Sequence, residues 1–312
     1  MTVHRFLPYR WRTRVEAARH AGAIVDVLET PPIVPRTDGL VLFSMIGTAV
    51  VLPYLVAVKS LWHQLRRGRV VLLDDGSLTA QDRALLAHHC GDPEIIRIAE
   101  VPLGPFPRGG CWERFLTILD RREREYWIQL DSDTVTLAPV DEVARAIEQN
   151  RSFMLLGEPE SEIGPLLLEE FVRWGYPDGV PDQHVQSRIE AGLGRVSNSD
   201  GWRYLRGCAG FAGFAGGGPG RPLAAKFLAE VEKLVGRADT HIWGTEQVAS
   251  NFQLANEPEP MILPWSRYLN YRGEDFGAEA AFVHFIGPHR HHGGAYVRAS
   301  RRAIAQLNPQ RT

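Results

Sequence analysis

Short apolar runs alternate with amphipathic stretches through most of this 312-residue chain. Runs at 40–46, 70–73, 95–98, 126–130, 153–156 and 281–286 are rich in branched and aromatic residues and have the length of buried strands. Between them, helical spacing and start signals predict helices over 13–28, 53–65, 112–120, 140–149, 223–235 and 245–254. Pro53 suits a first helical turn. Asp74-Asp75-Gly76 turns the chain into a further helix that is capped by Ser77 or Thr79 and reaches residue 89. This alternation predicts an α/β fold, a Rossmann-like, mostly parallel, doubly wound sheet flanked by helices.

The pattern also marks where the rhythm breaks. Pro31-Pro32-Ile33-Val34-Pro35 reads as a linker after an N-terminal helix, so residues 1–38 are expected as a helical extension and linker. Residues 158–206 hold short helix candidates among Gly, Pro and Asp and read as an insertion within a main domain, 39–295. The glycine-rich stretch 207–218 fits a flexible loop or a tightly packed strand, and equally a backbone approached closely by a ligand. Residues 296–312 are expected as a basic tail. Residues 40–58 are almost wholly apolar, but Gly47 and Pro53 interrupt them, which favours strand plus helix over a membrane span.

Composition narrows the class. With 44% hydrophobic and 23% charged residues the chain is ordinary for a soluble globular protein, and a net charge of −2 gives no case for a nucleic-acid partner. Five arginines fall in residues 1–20 and five in 287–312. The first group, with Phe6, Tyr9 and Trp11, allows at most a peripheral membrane contact; the second fits a solvated tail or a flap over an anion. Cys90, Cys111 and Cys208 are odd in number and widely spaced, so neither a disulfide framework nor a zinc knuckle is expected, and a reducing, cytoplasmic setting is. The absence of an apolar h-region near Met1 predicts no secretory signal.

Four separated features carry chemistry. Asp131-Ser132-Asp133 ends the 126–130 strand, where open α/β sheets keep their ligand crevice. Alternate residues of an extended backbone point the same way, so both carboxylates can reach one divalent cation; alone, the pair also fits a solvated acidic turn. His284 would add an imidazole ligand, which favours manganese over magnesium. Gly287 allows a phosphate close to the backbone, and Arg290 can grip it as a fork. Gly244-Thr245-Glu246-Gln247 places polar groups at a helix start, and Arg114 lies on the helix before the aspartates.

Together these residues resemble glycosyltransferase family 8, the glycogenin and bacterial galactosyltransferase-like group with a GT-A fold. Residues 126–140, YWIQLDSDTVTLAPV, match that family's strand, Asp-x-Asp and following helix start. Arg114 stands where such enzymes carry an arginine on the preceding helix. Glu246-Gln247-Val248-Ala249-Ser250-Asn251 resembles their Asp-Gln-Asp-x-x-Asn, Leu263-Pro264 with Asn270 the stretch that follows, and His284-x-x-Gly287-x-x-Arg290 their closing His-x-x-Gly-x-x-Lys. The correspondence runs with gaps from about residue 40 to 290. It implies transfer of a sugar from a nucleotide diphosphate sugar, a UDP-sugar, to an acceptor hydroxyl with retention. Asp131, Asp133 and His284 would hold Mn2+ or Mg2+. Arg114, Asp131, Ser132, Gly210, Gly287 and Arg290 would contact the donor. Glu246 and Gln247 would stand at the reaction centre, Glu246 as nucleophile, base or acceptor contact. The acceptor would be a glycan, a lipid-linked group or a small molecule, selected by residues 158–206.

The chain departs from that pattern at Arg290 for lysine, Glu246 for aspartate, Val248 for the second aspartate and Cys208-Ala209-Gly210 for Asn-Ala-Gly. Its first strand ends in Ser44-Met45-Ile46-Gly47 without the acidic residue tied to uracil. Two rival readings stand beside the transferase. One is a haloacid-dehalogenase-type phosphatase with Asp131 as nucleophile, Asp133 as acid/base and Lys226 or Lys233 as the cation. The other is a non-catalytic nucleotide- or glycan-binding scaffold, motivated by Val248 and Cys208.

Overall fold

A computed structural model of the protein describes residues 9–180, 184–197 and 199–308. Helix α1 (Tyr9–Ala23) leads through the proline-rich linker to β1 (Leu40–Ile46), which has the predicted bounds. There follow α2 (Val51–Leu65), β2 (Arg69–Asp74), α3 (Ala80–Cys90), β3 (Glu94–Arg97), α4 (Trp112–Arg121) and β4 (Tyr126–Leu130). Of the two candidate caps, Thr79 starts α3: its hydroxyl accepts from the Asp82 N–H while the Asp82 carboxylate accepts from the Thr79 N–H. The chain continues through β5 (Thr134–Thr136), α5 (Asp141–Glu148) and β6 (Phe153–Leu156). Residues 158–206 form β7 (Leu166–Leu167), α6 (Leu168–Gly175), α7 (Val185–Gly192) and β8 (Arg203–Tyr204). The last part holds β9 (Gly207–Phe214), α8 (Gly220–Val235), α9 (Thr245–Ala255), β10 (Met261–Ile262), β11 (Tyr268–Tyr271), β12 (Phe282–Phe285) and α10 (Ala295–Leu307).

The main sheet has the order β10-β6-β9-β4-β1-β2-β3. It is mostly parallel, as predicted; β9 alone among its described strands runs antiparallel to both neighbours, β4 and β6. The period-two alternation of the strands divides two cores. Leu40, Leu42, Val70, Leu72, Tyr126 and Ile128 face the side covered by α2, α3, α5 and α10, whereas Val41, Phe43, Val71, Leu73 and Trp127 face α4, α6, α7, α8 and α9. Strands buried on both faces read as continuous apolar runs, which is why β1, β4 and β6 were legible in the sequence.

Three findings refine the expectations, the first by choosing the packed strand among the readings left open. The glycine-rich stretch is a fully buried strand over its first eight residues. The C-terminal basic segment is a helix packed on α2, β5 and α1 instead of a tail, with Arg301 Nε donating to the Ala23 carbonyl at 3.1 Å. A second sheet, β11-β12-β5, stands at the ends of the central strands. The apolar 40–58 segment divides into β1 and α2, and no helix among the described residues is long and apolar enough to cross a membrane. Phe6, Arg311 and the other terminal residues of the two basic segments at 1–8 and 309–312 lie outside the described residues.

Candidate active site

The small sheet brings the sequence motifs together. Thr134 to Thr136 pair antiparallel with β12, setting Thr134 opposite His284, and the Phe285 N–H donates to the Asp133 carbonyl at 2.8 Å. Parallel pairing of β11 with β12 sets Asn270 beside His284. The Asn270 amide donates through Nδ2 to the carbonyls of Leu156 (2.8 Å) and Gly157 (3.2 Å), which turns its Oδ1 to His284 Nδ1 at 2.9 Å. That fixes a proton on Nδ1 and presents Nε2 to the aspartates.

Nε2 lies 3.3 Å from Asp133 Oδ1 and 4.0 Å from Asp131 Oδ2. The other oxygen of each carboxylate is taken by an arginine: Asp131 Oδ1 accepts from Arg114 at 2.5 Å, and Asp133 Oδ2 from Arg290. Ligand atoms of Asp131, Asp133 and His284 all lie within 4.8 Å of one another, a spacing that ligands of one cation have. Two carboxylate oxygens and an imidazole suit manganese or magnesium, so the donor set fits the group that the sequence implied. Burial alone would raise the Asp133 carboxyl, but the His284 imidazole and then Arg290 hold it down at about 2. Burial would lower His284; the neighbouring Cys208 sulfur and the Asp133 carboxylate instead hold it well above its ordinary value. A cation binding here would displace that proton.

Arg114 is buried, not a surface charge, and joins the aspartates to the opposite wall. Besides Asp131 it reaches Glu246 Oε2 at 3.1 Å and Oε1 at 3.3 Å. Glu246 sits on the first turn of α9, whose start is set by Gly244 in the left-handed region at φ 106. Burial pushes Glu246 up to about 7; Arg114 opposes this and Asp131 adds to it. Gln247 donates to Gln186 Oε1 at 3.1 Å.

A cavity of about 450 Å³ opens between these walls, lined by Arg114, Asp131, Asp133, Gly210, Glu246, Gln247, His284, Gly287 and Arg290 among others. Of the ten residues singled out in the sequence, nine line this cavity. Ser132 is the exception, since it does not line the cavity and its carbonyl accepts from the Tyr296 hydroxyl at 3.3 Å. Gly210 acts indirectly: a Cβ there would overlap the His284 ring, so its place in β9 makes room for the imidazole. Arg290 is spent on Asp133 and on the Phe285 carbonyl (3.0 Å) in this state, not held free for a phosphate. Cavity residues that sequence reasoning missed include Gln186, Arg206, Trp243 and Arg272. The first two come from the patternless 158–206 segment; Trp243 adjoins Gly244-Thr245, where a helix start was the available signal.

No protein-family model matches the sequence, and no curated protein does. Solved structures do. A structure of the galactosyltransferase LgtC in complex with donor and acceptor sugar analogs is similar at a TM-score of 0.52 and 10% identity, over 86% of this chain and 95% of that one. This chain has the GT-A fold. An active-site mutant of LgtC matches comparably, with a TM-score of 0.50 and 12% identity over 84% of this chain and 95% of that one. β4 with its terminal aspartates lies in the middle of the main sheet, and β12 of the small sheet brings His284 to the cavity.

Proposed function

We propose that the protein is a metal-dependent glycosyltransferase that moves a sugar from a nucleotide diphosphate sugar, a UDP-sugar, to an acceptor hydroxyl with retention. The observation that carries this reading is the convergence of Asp131, Asp133 and His284 on one point, with Arg114 bridging Asp131 to Glu246 on the wall of the same cavity in a GT-A fold. A manganese ion bound there would offset charge developing on the leaving diphosphate. Around it, this chain's residues divide the work. His284 is aimed by Asn270. Arg114 and Arg290 adjoin the carboxylates and can add charge stabilisation to a diphosphate. Gly287, at φ 45, leaves backbone open to a phosphate. Glu246 and Gln247 form the wall where donor sugar and acceptor meet. Cysteines Cys90, Cys111 and Cys208 are all free, which supports a reducing, cytoplasmic setting.

The phosphatase reading is weaker. It requires a lysine at the nucleophile, and neither Lys226 nor Lys233, both on α8, lines the cavity. Calorimetric titration of UDP, then GDP, with and without manganese tests the proposal, with Asp131→Ala and His284→Ala as controls. Manganese-dependent binding lost in both variants is expected. Binding of neither nucleotide would overturn the transferase reading, and binding without turnover of any donor would favour the non-catalytic scaffold.

A further inference from the structure

The rim of the cavity carries an exposed ring that donor chemistry leaves unused. Trp243 is 67% exposed, yet it lines the cavity beside Gln186, Glu246 and Gln247. Its position is built. It precedes Gly244, whose left-handed φ of 106 starts α9 and where a Cβ would stand 3.0 Å from His184 Cε1. His184, just before α7, meets the indole edge-on with ring centroids 6.0 Å apart. The ring is thus seated where the helix bearing Glu246 and Gln247 meets the start of α7.

Beside it two carboxamides are fixed in direction. Gln247 Nε2 donates to Gln186 Oε1, and Gln186 Nε2 donates to Glu190 Oε1 at 3.0 Å. Glu190 is itself buried and held by the hydroxyls of Tyr176 (2.7 Å) and Tyr204 (2.8 Å) and by Arg206 Nε (2.9 Å). The relay holds the Gln247 carboxamide by its nitrogen at the wall of the cavity. An exposed indole is an apolar plate that a large flat partner can cover. Oriented carboxamides both donate and accept, as sugar hydroxyls require.

We propose that Trp243 and Gln186 form an acceptor subsite and that the acceptor is a saccharide. One pyranose ring lies with its C–H face on Trp243 and directs a hydroxyl toward Gln247. A simple alcohol or a lipid chain would leave the carboxamides unmatched. This subsite rests on the transferase reading, and its test separates the two.

Binding of methyl α- and β-pyranosides of glucose, galactose and mannose is measured by saturation-transfer NMR on the full chain with manganese and UDP. Glycerol and butanol serve as comparison alcohols. Wild type is expected to bind at least one pyranoside and neither alcohol. Trp243→Ala should weaken that pyranoside at least tenfold, and Trp243→Phe should keep it within about threefold. Equal binding by Trp243→Ala, or no pyranoside bound by wild type, overturns the subsite. Turnover of UDP- and GDP-sugars by wild type is followed in parallel. With turnover present and pyranosides indifferent to Trp243, the subsite alone falls. With turnover absent, the transferase reading falls, while a Trp243-dependent pyranoside signal still establishes a saccharide site.

Discussion

At the scale of single residues, the arrangement turns on how three carboxylates share two guanidinium groups and an imidazole. Asp131 and Asp133 each give one oxygen to an arginine and keep the other for the point that His284 faces. Glu246 has Arg114 as its cation, shared with Asp131, and water scarcely reaches the Glu246 side chain itself. That scarcity has a measurable consequence. Glu246 titrates at about 7 in the folded chain against an ordinary 4.5, chiefly through burial and against the pull of Arg114. A carboxyl raised by folding favours the folded state fully below the unfolded value, and that contribution is lost as pH rises through the folded one. Wild type should therefore lose about 3 kcal/mol relative to Glu246→Gln between pH 4.5 and 8.5. Urea unfolding of both proteins in EDTA at several pH values measures this; two parallel stability curves would contradict the buried, protonatable Glu246. Gln stands in for the protonated carboxyl, so the attraction of Arg114 for the carboxylate is already contained in the value of about 7.

Elements show why these residues meet. β9 crosses the middle of the sheet with glycines at 207, 210 and 213, and each avoids a particular neighbour: Met154 and Asn251, the His284 ring, and Phe153 with the Tyr126 hydroxyl. Gly210→Ala should displace His284, weaken manganese binding at least tenfold, and cost on the order of 1–3 kcal/mol through overpacking. Gly213→Ala should cost stability similarly while sparing the metal, since its contacts lie away from the cavity. Manganese titration followed by electron paramagnetic resonance, with thermal melts of both variants, separates the effects; unchanged metal affinity in Gly210→Ala would sink the role given to that glycine. The sequence showed that 207–218 was unusual but not that it was a strand, because a glycine strand lacks the apolar side chains from which strands are recognised. The runs that became β1, β4 and β6 were legible for the opposite reason. Asp131 and Asp133 were legible as candidate ligands because their spacing at a strand end is local, and His284, far along the chain, because it ends a strand before a glycine turn in the order of motifs that the resemblance supplies. Their arginine partners were not: Arg114 meets Glu246 across 132 residues, and Arg290 meets Asp133 across 157. Helix α10 was hidden because its buried stripe, Ala295, Tyr296, Ala299, Ser300, Ala303 and Ile304, is built mostly of small residues between arginines.

Over the whole molecule, the two ends of the described chain meet beneath the site. His20 of α1 stacks on Tyr296 of α10, with centroids 3.7 Å apart, and Tyr296 stacks in turn on Phe285 of β12 at 4.5 Å. The Tyr296 hydroxyl reaches the Ser132 carbonyl, so one column of rings links the N-terminal helix to the turn between the two aspartates. His20 also bonds Ser300 Oγ at 3.1 Å. Burial lowers His20 to about 4, aided by the nearby His291 and Arg290, so the ring is neutral at neutral pH. A base depressed by folding contributes stability that is full above its unfolded value of 6.5 and lost as pH falls through 4. Docking of α1 on α10 should thus loosen in acid. His20→Phe keeps an aromatic ring on Tyr296 and removes the proton, at the cost of the Ser300 bond at every pH. Between pH 7 and pH 4 wild type should lose about 3 kcal/mol more than His20→Phe, with other titrating groups such as His89 common to both. Unfolding in urea reads the difference, and amide exchange across Ala295–Leu307 localises it. Exchange in α10 that rises equally in both proteins would show that acid acts elsewhere and that the ring column is packing without a titrating part.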